Sequence, residues 1–258
     1  MTTLLIPSRH RLVHTSRPQT LVLHHGYWVY AFCHDLARGI LFINQSQYIK
    51  TILDHFEMTG CTPILIPLEA KSHFVPTTLE DHELVKLFPY LEAIGSLTYA
   101  AMGTHPNIST LVQALSPFTA NFGAVQVRAV KHIFKYLARC PNCGILYLHT
   151  GSTLVGWTNV DWASDQTNQR SISGHIFMLA GGAISWMSKQ QSTVAMLSMH
   201  AEYIVAMEAS KELVWLCCFL LELHQNIPDS TVLYINNCAA DLLAWNPINH
   251  SAMKHIEV

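Results

Sequence analysis

Charge is what this sequence has least of. Only 12% of its 258 residues are Asp, Glu, Lys or Arg, about half the share usual in soluble domains. Half the residues are apolar, so disorder through excess polarity is excluded. Long hydrophobic runs are missing too. The longest in the C-terminal half, Leu213-Val-Trp-Leu-Cys-Cys-Phe-Leu-Leu221, is flanked by Glu212 and Glu222. A bilayer needs roughly 20 apolar residues, so no membrane partner is expected. The start of the chain lacks the layout of a signal peptide, because Arg9 and Arg11 follow the short apolar Leu4-Leu-Ile6 instead of preceding it. Seven cysteines at scattered spacings make no disulfide framework, and a reducing, intracellular setting (cytoplasm or nucleus) is expected. A basic excess is also lacking: the formal net charge is −2, so composition does not announce a nucleic-acid binder.

What is present divides into two halves of different periodicity. Residues 1–30 show no sustained period and are expected to be poorly structured. A strand-like stretch follows from Cys33 through Gly39-Ile-Leu-Phe-Ile43. Ser46 is a favoured N-cap for a helix carrying Tyr48, Ile49, Ile52, Leu53 and Phe56, with Thr59-Gly60 as its stop. Residues 71–84 read as a polar linker. Three helices are then expected: Tyr90–Met102, one opening at Pro106, and Ala124–Arg139. Cys140-Pro-Asn-Cys143 breaks the last of these.

Beyond Gly144 short alternating segments take over. Ile145–His149, Leu154–Thr158, His175–Leu179 and Ala183–Met187 read as strands. A long helix from Val194 to Leu223 carries an apolar seam, Ala206, Ala209, Leu213, Leu216, Leu220 and Leu223. Val214, Cys217 and Leu221 widen the seam and predict burial on more than one side. A strand at Thr231–Ile235 and a short helix at Ala239–Trp245 complete an α/β layer.

Several strings resemble the end of a copia-type LTR-retrotransposon Pol polyprotein. Before residue 140 they are Gln45-Ser-Gln-Tyr-Ile49, Gly95-Ser-Leu-Thr-Tyr99 and Ala129-Val-Lys-His-Ile-Phe-Lys-Tyr-Leu137. Beyond it come Arg170-Ser-Ile-Ser-Gly174, Ala183-Ile-Ser-Trp186, Ser188-Lys-Gln-Gln191, Ala201-Glu-Tyr203 and Lys254-His-Ile256. Each string is weak alone; the ordered set is specific. The resemblance implies a mainly helical reverse-transcriptase thumb and connection remnant over 31–143. It implies an RNase H-like mixed sheet with flanking helices over 144–258, cut short at its C-terminus. The polymerase palm would lie upstream.

An RNase H cuts the RNA strand of an RNA–DNA hybrid with two magnesium ions held about 4 Å apart by four carboxylates. The acids come from the first strand, the long helix, the fourth strand and the C-terminal segment. The family's first-strand Ser-Asp-Ala-Asp-Trp reads Thr158-Asn-Val-Asp-Trp162 here, so Asn159 stands at an acid position. The helix motif Glu-Ala-Glu-Tyr reads His200-Ala-Glu-Tyr203 and keeps Glu202. The fourth-strand Cys-Asp-Asn reads Ile235-Asn-Asn237, placing Asn236 at another acid position. Lys-His-Ile-Asp reads Lys254-His-Ile-Glu257, a longer carboxylate. An amide oxygen brings no charge to a metal. Asp161 shares a strand face with Asn159 but would sit nearly ~7 Å further along. Magnesium is therefore expected by family and expected to be lost, with Glu202, Glu257 and Asp161 as vestiges of the catalytic set. The alternatives are a residually active ribonuclease using those three acids, and a domesticated protein-interaction module.

Two further patterns bear on function. Cys140 and Cys143 have the spacing of a zinc half-site or redox pair, but a tetrahedral site needs two more ligands, and an ordinary turn is expected. Arg128, Lys131, Lys135 and Arg139 recur on one helix face, opposite Val130, Phe134 and Leu137. They read either as a solvated face or as a stripe contacting phosphates. Any partner is then an RNA–DNA hybrid or other nucleic acid, bound weakly.

Overall fold

A computed structural model describes residues 19–25, 28–67, 85, 87–149, 151–162, 169–195, 197–225, 228 and 230–236. Among them are two four-stranded sheets and five α-helices. The chain opens with β1 (Gln19–His25), β2 (Trp28–Asp35) and β3 (Ile40–Asn44), an antiparallel meander. No strand is expected from the sequence before Cys33, so β1 and the start of β2 correct that expectation. The reason is non-local. β1 shows no clean alternation of its own, and its backbone groups are satisfied by β2, which is itself held by β3.

Helix α1 (Ser46–His55) follows at once. Ser46 is its first residue and not its cap. The Asn44 carboxamide oxygen accepts the Ser46 backbone N–H at 3.1 Å, an Asx-type start from two residues upstream. Helices α2 (Tyr90–Gly103), α3 (Ser109–Leu115) and α4 (Ala124–Arg139) come next, with a 3-10 turn at Pro106–Ile108 leading into α3. Their apolar faces close one core around Ile49, Leu53, Leu97, Ile133, Phe134 and Leu137. Phe56 stacks on Phe134 with ring centroids 4.9 Å apart, which seats the end of α1 on α4.

Strand β4 (Gly144–Leu148) then pairs with β3, from Asn44↔Gly144 to Ile40↔Leu148. The sequence grouped this strand with the C-terminal half; its ladder belongs to the first sheet. Two contacts carry it toward the second: the Leu148 N–H donates to Ala180 O at 2.7 Å and Tyr147 Oη donates to Ala183 O at 2.6 Å; a third joins α2 to that sheet, the Trp186 indole N–H donating to Ala101 O at 2.9 Å.

The second sheet is mixed. Strands β5 (Val155–Asp161), β6 (Ile172–Leu179) and β7 (Gly182–Gln190) are antiparallel neighbours. After helix α5 (Ser198–Glu222), strand β8 (Val232–Tyr234) returns parallel to β5 on its far side, giving the order β7-β6-β5-β8. Helix α5 covers one sheet face. Phe177, Ala209, Leu216 and Leu220 form the core there with Leu154. Gly156 makes the close approach possible: a Cβ on it would lie 2.4 Å from the Phe177 ring and 2.7 Å from Leu233. The outer side of α5 stays open. Val214 is 63% exposed and Leu221 58%, correcting the expectation of burial on more than one side. The predicted helix at Ala239–Trp245 and the 71–84 linker lie outside the described residues.

Candidate functional site

The strand register assigns every residue of the second sheet to a face. Gly156, Phe177 and Ser185 are partners across β5, β6 and β7, and Ser185 Oγ donates to the Glu212 carboxylate of α5 at 2.7 Å. Thr158, His175 and Met187 form the next row on this side. Burial lowers the pKa of His175, with Glu212 and Glu208 pulling the other way. Strand alternation therefore turns Trp157, Asn159 and Asp161 to the opposite face, and all three are exposed.

Asn236 follows β8 by the same count. Trp157 pairs with Tyr234, and two residues on from each stand Asn159 and Asn236, the latter also exposed. Asn159 is thus within β5, whereas Asn236 lies two residues past the end of β8, beyond the last β5–β8 pair. Glu202 is elsewhere: it lies in the first turns of α5, 7% exposed, and its Oε2 has no hydrogen-bond partner. Desolvation raises its pKa. A buried carboxylate oxygen without a donor is costly, and a cation would satisfy it. The rest of the donor set does not fit two magnesium ions. Among the described residues no three His, Cys, Asp or Glu side chains approach closely enough to hold a metal. Glu257 and the Lys254-His-Ile256 string lie outside the described residues.

The basic stripe is brought together. Arg128, Lys131 and Lys135 of α4 line one cavity of about 380 Å³ with Met58, Cys61 and His132. Among the described residues none of the four stripe cations is in an ion pair. Lys131 Nζ sits 5.5 Å from the Phe88 ring centroid, a cation–π contact that holds the chain against the surface. His132 Nε2 lies 3.1 Å from Ile66 O, which ties the stretch after α1 to the cavity rim. Arg139, the fourth member, is exposed at the end of α4 and outside the cavity lining. The sequence named the cations but not Met58, Cys61 and His132. Met58 and Cys61 come from the segment after α1, which no spacing rule joins to α4, whereas His132 shares the helix face by its i+4 spacing from Arg128.

Cys140 and Cys143 form a turn after α4, with the Cys143 N–H donating to Cys140 O at 3.1 Å. Burial, then the neighbouring Cys143, pushes the Cys140 thiol up to about 11. Such a thiol is a poor nucleophile and a poor metal ligand at neutral pH.

A second cavity was not foreseen. About 230 Å³ opens on the outer face of the second sheet, between Trp157 and Trp186 and beneath the 3-10 turn at Pro106. Period-two alternation places Trp157 and Asn159 on this face, but only the register across three strands adds Trp186.

The relatives of this chain include transposon Pol polyproteins. Over 224 residues, 84% of the chain, it is 37% identical to the retrovirus-related Pol polyprotein from transposon TNT 1-94 of Nicotiana tabacum. Over 223 residues it is 35% identical to the corresponding polyprotein from transposon RE1 of Arabidopsis thaliana. A 133-residue match at 38% identity takes in 51% of the chain and 94% of the secreted RxLR effector protein 161 of Plasmopara viticola. The chain spans 17% and 15% of the two polyproteins. No family model and no solved structure matches it. The chain belongs to the copia-type retrotransposon Pol polyproteins.

Proposed function

We propose that this chain is a degenerate piece of such a polyprotein, with a reverse-transcriptase thumb and connection remnant ahead of an RNase H-like sheet that no longer hydrolyses RNA in RNA–DNA hybrids. Three antiparallel strands, a long helix packed on them and a fourth strand returning parallel beside the first support the RNase H-like reading. The observation that carries the loss of activity is the pair Asn159 and Asn236. They occupy two positions where the family resemblance calls for acids, and each stands two residues on from the last β5–β8 pair, Trp157 with Tyr234. Two neutral amides remove two of the four negative charges that offset a pair of dications. Two acids remain in the sequence, Glu202 and Glu257; among the described residues that is Glu202, buried and without a hydrogen-bond partner on Oε2, as a vestigial ligand. Magnesium would have to be held chiefly there, and the residues present do not suit it.

The purified chain, incubated with an end-labelled RNA–DNA hybrid across a magnesium series, is expected to give no metal-dependent product. Cutting that requires magnesium and disappears in Glu202→Gln overturns this reading and favours the residually active ribonuclease.

Weak, sequence-independent nucleic-acid binding at α4 is the second part of the proposal. It is favoured by the convergence of Arg128, Lys131 and Lys135 on one cavity that no carboxylate among the described residues lines or pairs with. Backbone phosphates are the chemistry such a site accepts.

A further inference from the structure

We propose that the cleft between Trp157 and Trp186, which takes in the former acid position Asn159, is a stacking slot for an unpaired nucleobase, separate from the basic cavity on α4. Trp157, Ile176 and Trp186 are register partners across β5, β6 and β7, so the two indoles are rooted two strands apart on one face. Two strand spacings amount to roughly 9–10 Å. A flat ring in van der Waals contact on both sides needs about 7–8 Å. The slot therefore accepts one planar ring, with Ile176 beneath it.

Both walls are braced. The Trp157 ring stacks on Tyr234 with centroids 5.7 Å apart and planes 24° from parallel, which covers one face of the indole and leaves the other to the cleft. Trp186 is fixed by its hydrogen bond to Ala101 O. A stacking surface held this way loses little side-chain freedom when a ring arrives.

The next row of the sheet supplies polarity. Asn159, Gly174 and Ser188 are partners across the same three strands. A Cβ on Gly174 would meet nothing closer than 3.7 Å, so the floor between the two polar side chains is an open notch. The Asn159 carboxamide offers a donor pair and an acceptor, the combination that reads the edge of a base. Ser188 Oγ is buried without a hydrogen-bond partner and adds a hydroxyl that can donate or accept. Pro106, Ser109 and Thr110 close the cleft from above. Among the described residues no Asp, Glu, Lys or Arg lines it, so it selects a neutral ring and not a phosphate. At about 230 Å³ it has room for one base. Paired bases are excluded because both of their faces are already stacked, which leaves a strand with exposed bases or a free nucleotide.

The test measures binding of the whole chain to a fluorescent single-stranded 12-mer, to its duplex and to adenosine monophosphate, with tryptophan quenching as a second readout. Trp157→Ala is expected to weaken single-strand binding about tenfold, in the range stacking on an aromatic provides. Duplex binding and the salt dependence should not move, because no cation is lost. Trp157→Phe should retain most of the affinity. Asn159→Ala, at an exposed position that leaves the fold intact, should cost a few-fold on the single strand alone. Quenching by the mononucleotide, lost in Trp157→Ala, supports the slot and names a free nucleotide as its ligand; strand binding without it names a base within a strand. Equal loss on duplex and single strand in Asn159→Ala, or no change in Trp157→Ala, overturns the proposal.

Discussion

His105 shows how one residue can set a response of the whole fold. It is 1% exposed, its Nδ1 lies 2.9 Å from Thr104 Oγ1, and Thr104 Oγ1 in turn donates to Gln45 Oε1 at 2.8 Å. Desolvation lowers its pKa from 6.5 to about 4. The unfolded chain therefore takes up a proton as pH falls below 6.5, while the folded chain stays neutral until about pH 4. Stability from this group is fully present above pH 6.5 and is lost as pH drops toward 4, amounting to roughly 3 kcal/mol over the window. Urea midpoints across that window should fall more for the wild type than for His105→Gln by about that amount. Parallel curves for the two would count against it. This network also shows the limit of residue-by-residue reading. Nothing in the string Gly103-Thr-His105 announces that Gln45 reaches it, nor that Gly103 is small because a Cβ there would strike the Gln45 amide at 2.4 Å.

Among the elements, β4 is the hinge of the architecture. Its first residue, Gly144, packs so closely on β3 that a Cβ would lie 2.2 Å from Ile43 O, a backbone atom that cannot swing aside. Gly144→Ala is expected to cost about 2 kcal/mol or more by forcing the β3–β4 ladder apart. A melting curve should register that as a drop of roughly 4–8 °C. Gly60→Ala serves as the comparison, since nothing lies within 4 Å of a Cβ there, and its effect should stay within about 0.5 kcal/mol. The helices were the more legible elements. Ala124–Arg139 was readable to the residue, because Val130, Phe134 and Leu137 repeat on one face and Cys140-Pro141 stops the run. The strands were readable as strands but not as partners. Gly144–Leu148 alternates well enough to be recognised, yet nothing in it says whether it pairs with β3 or with the sheet that follows.

For the whole molecule, the distribution of charge decides how nucleic acid would be met. The net charge is −2, but three cations converge on one cavity beside α4. If all three contact phosphates, log affinity should fall against log salt with a slope near about −2.7 on duplex DNA. Lys131→Ala combined with Lys135→Ala should flatten the slope by about two-thirds of that. An unchanged slope in the double variant returns the stripe to a solvated face. Sequence alone determined the kinship of this chain, the identity of Asn159 and Asn236 where the family has acids, and the course of α1, α2 and α4. Each of these is carried by local order or by helical period. Tertiary structure decided which face each residue occupies. It turned Asn159 away from α5, buried Glu202 with an unpaired oxygen, added Met58, Cys61 and His132 to the basic cavity, and set Trp186 opposite Trp157. Strand pairing is the reason. Period two says that Trp157 and Asn159 share a face, but the identity of the neighbouring strand and its register are fixed by hydrogen bonds between segments far apart in the chain, and no local pattern encodes them.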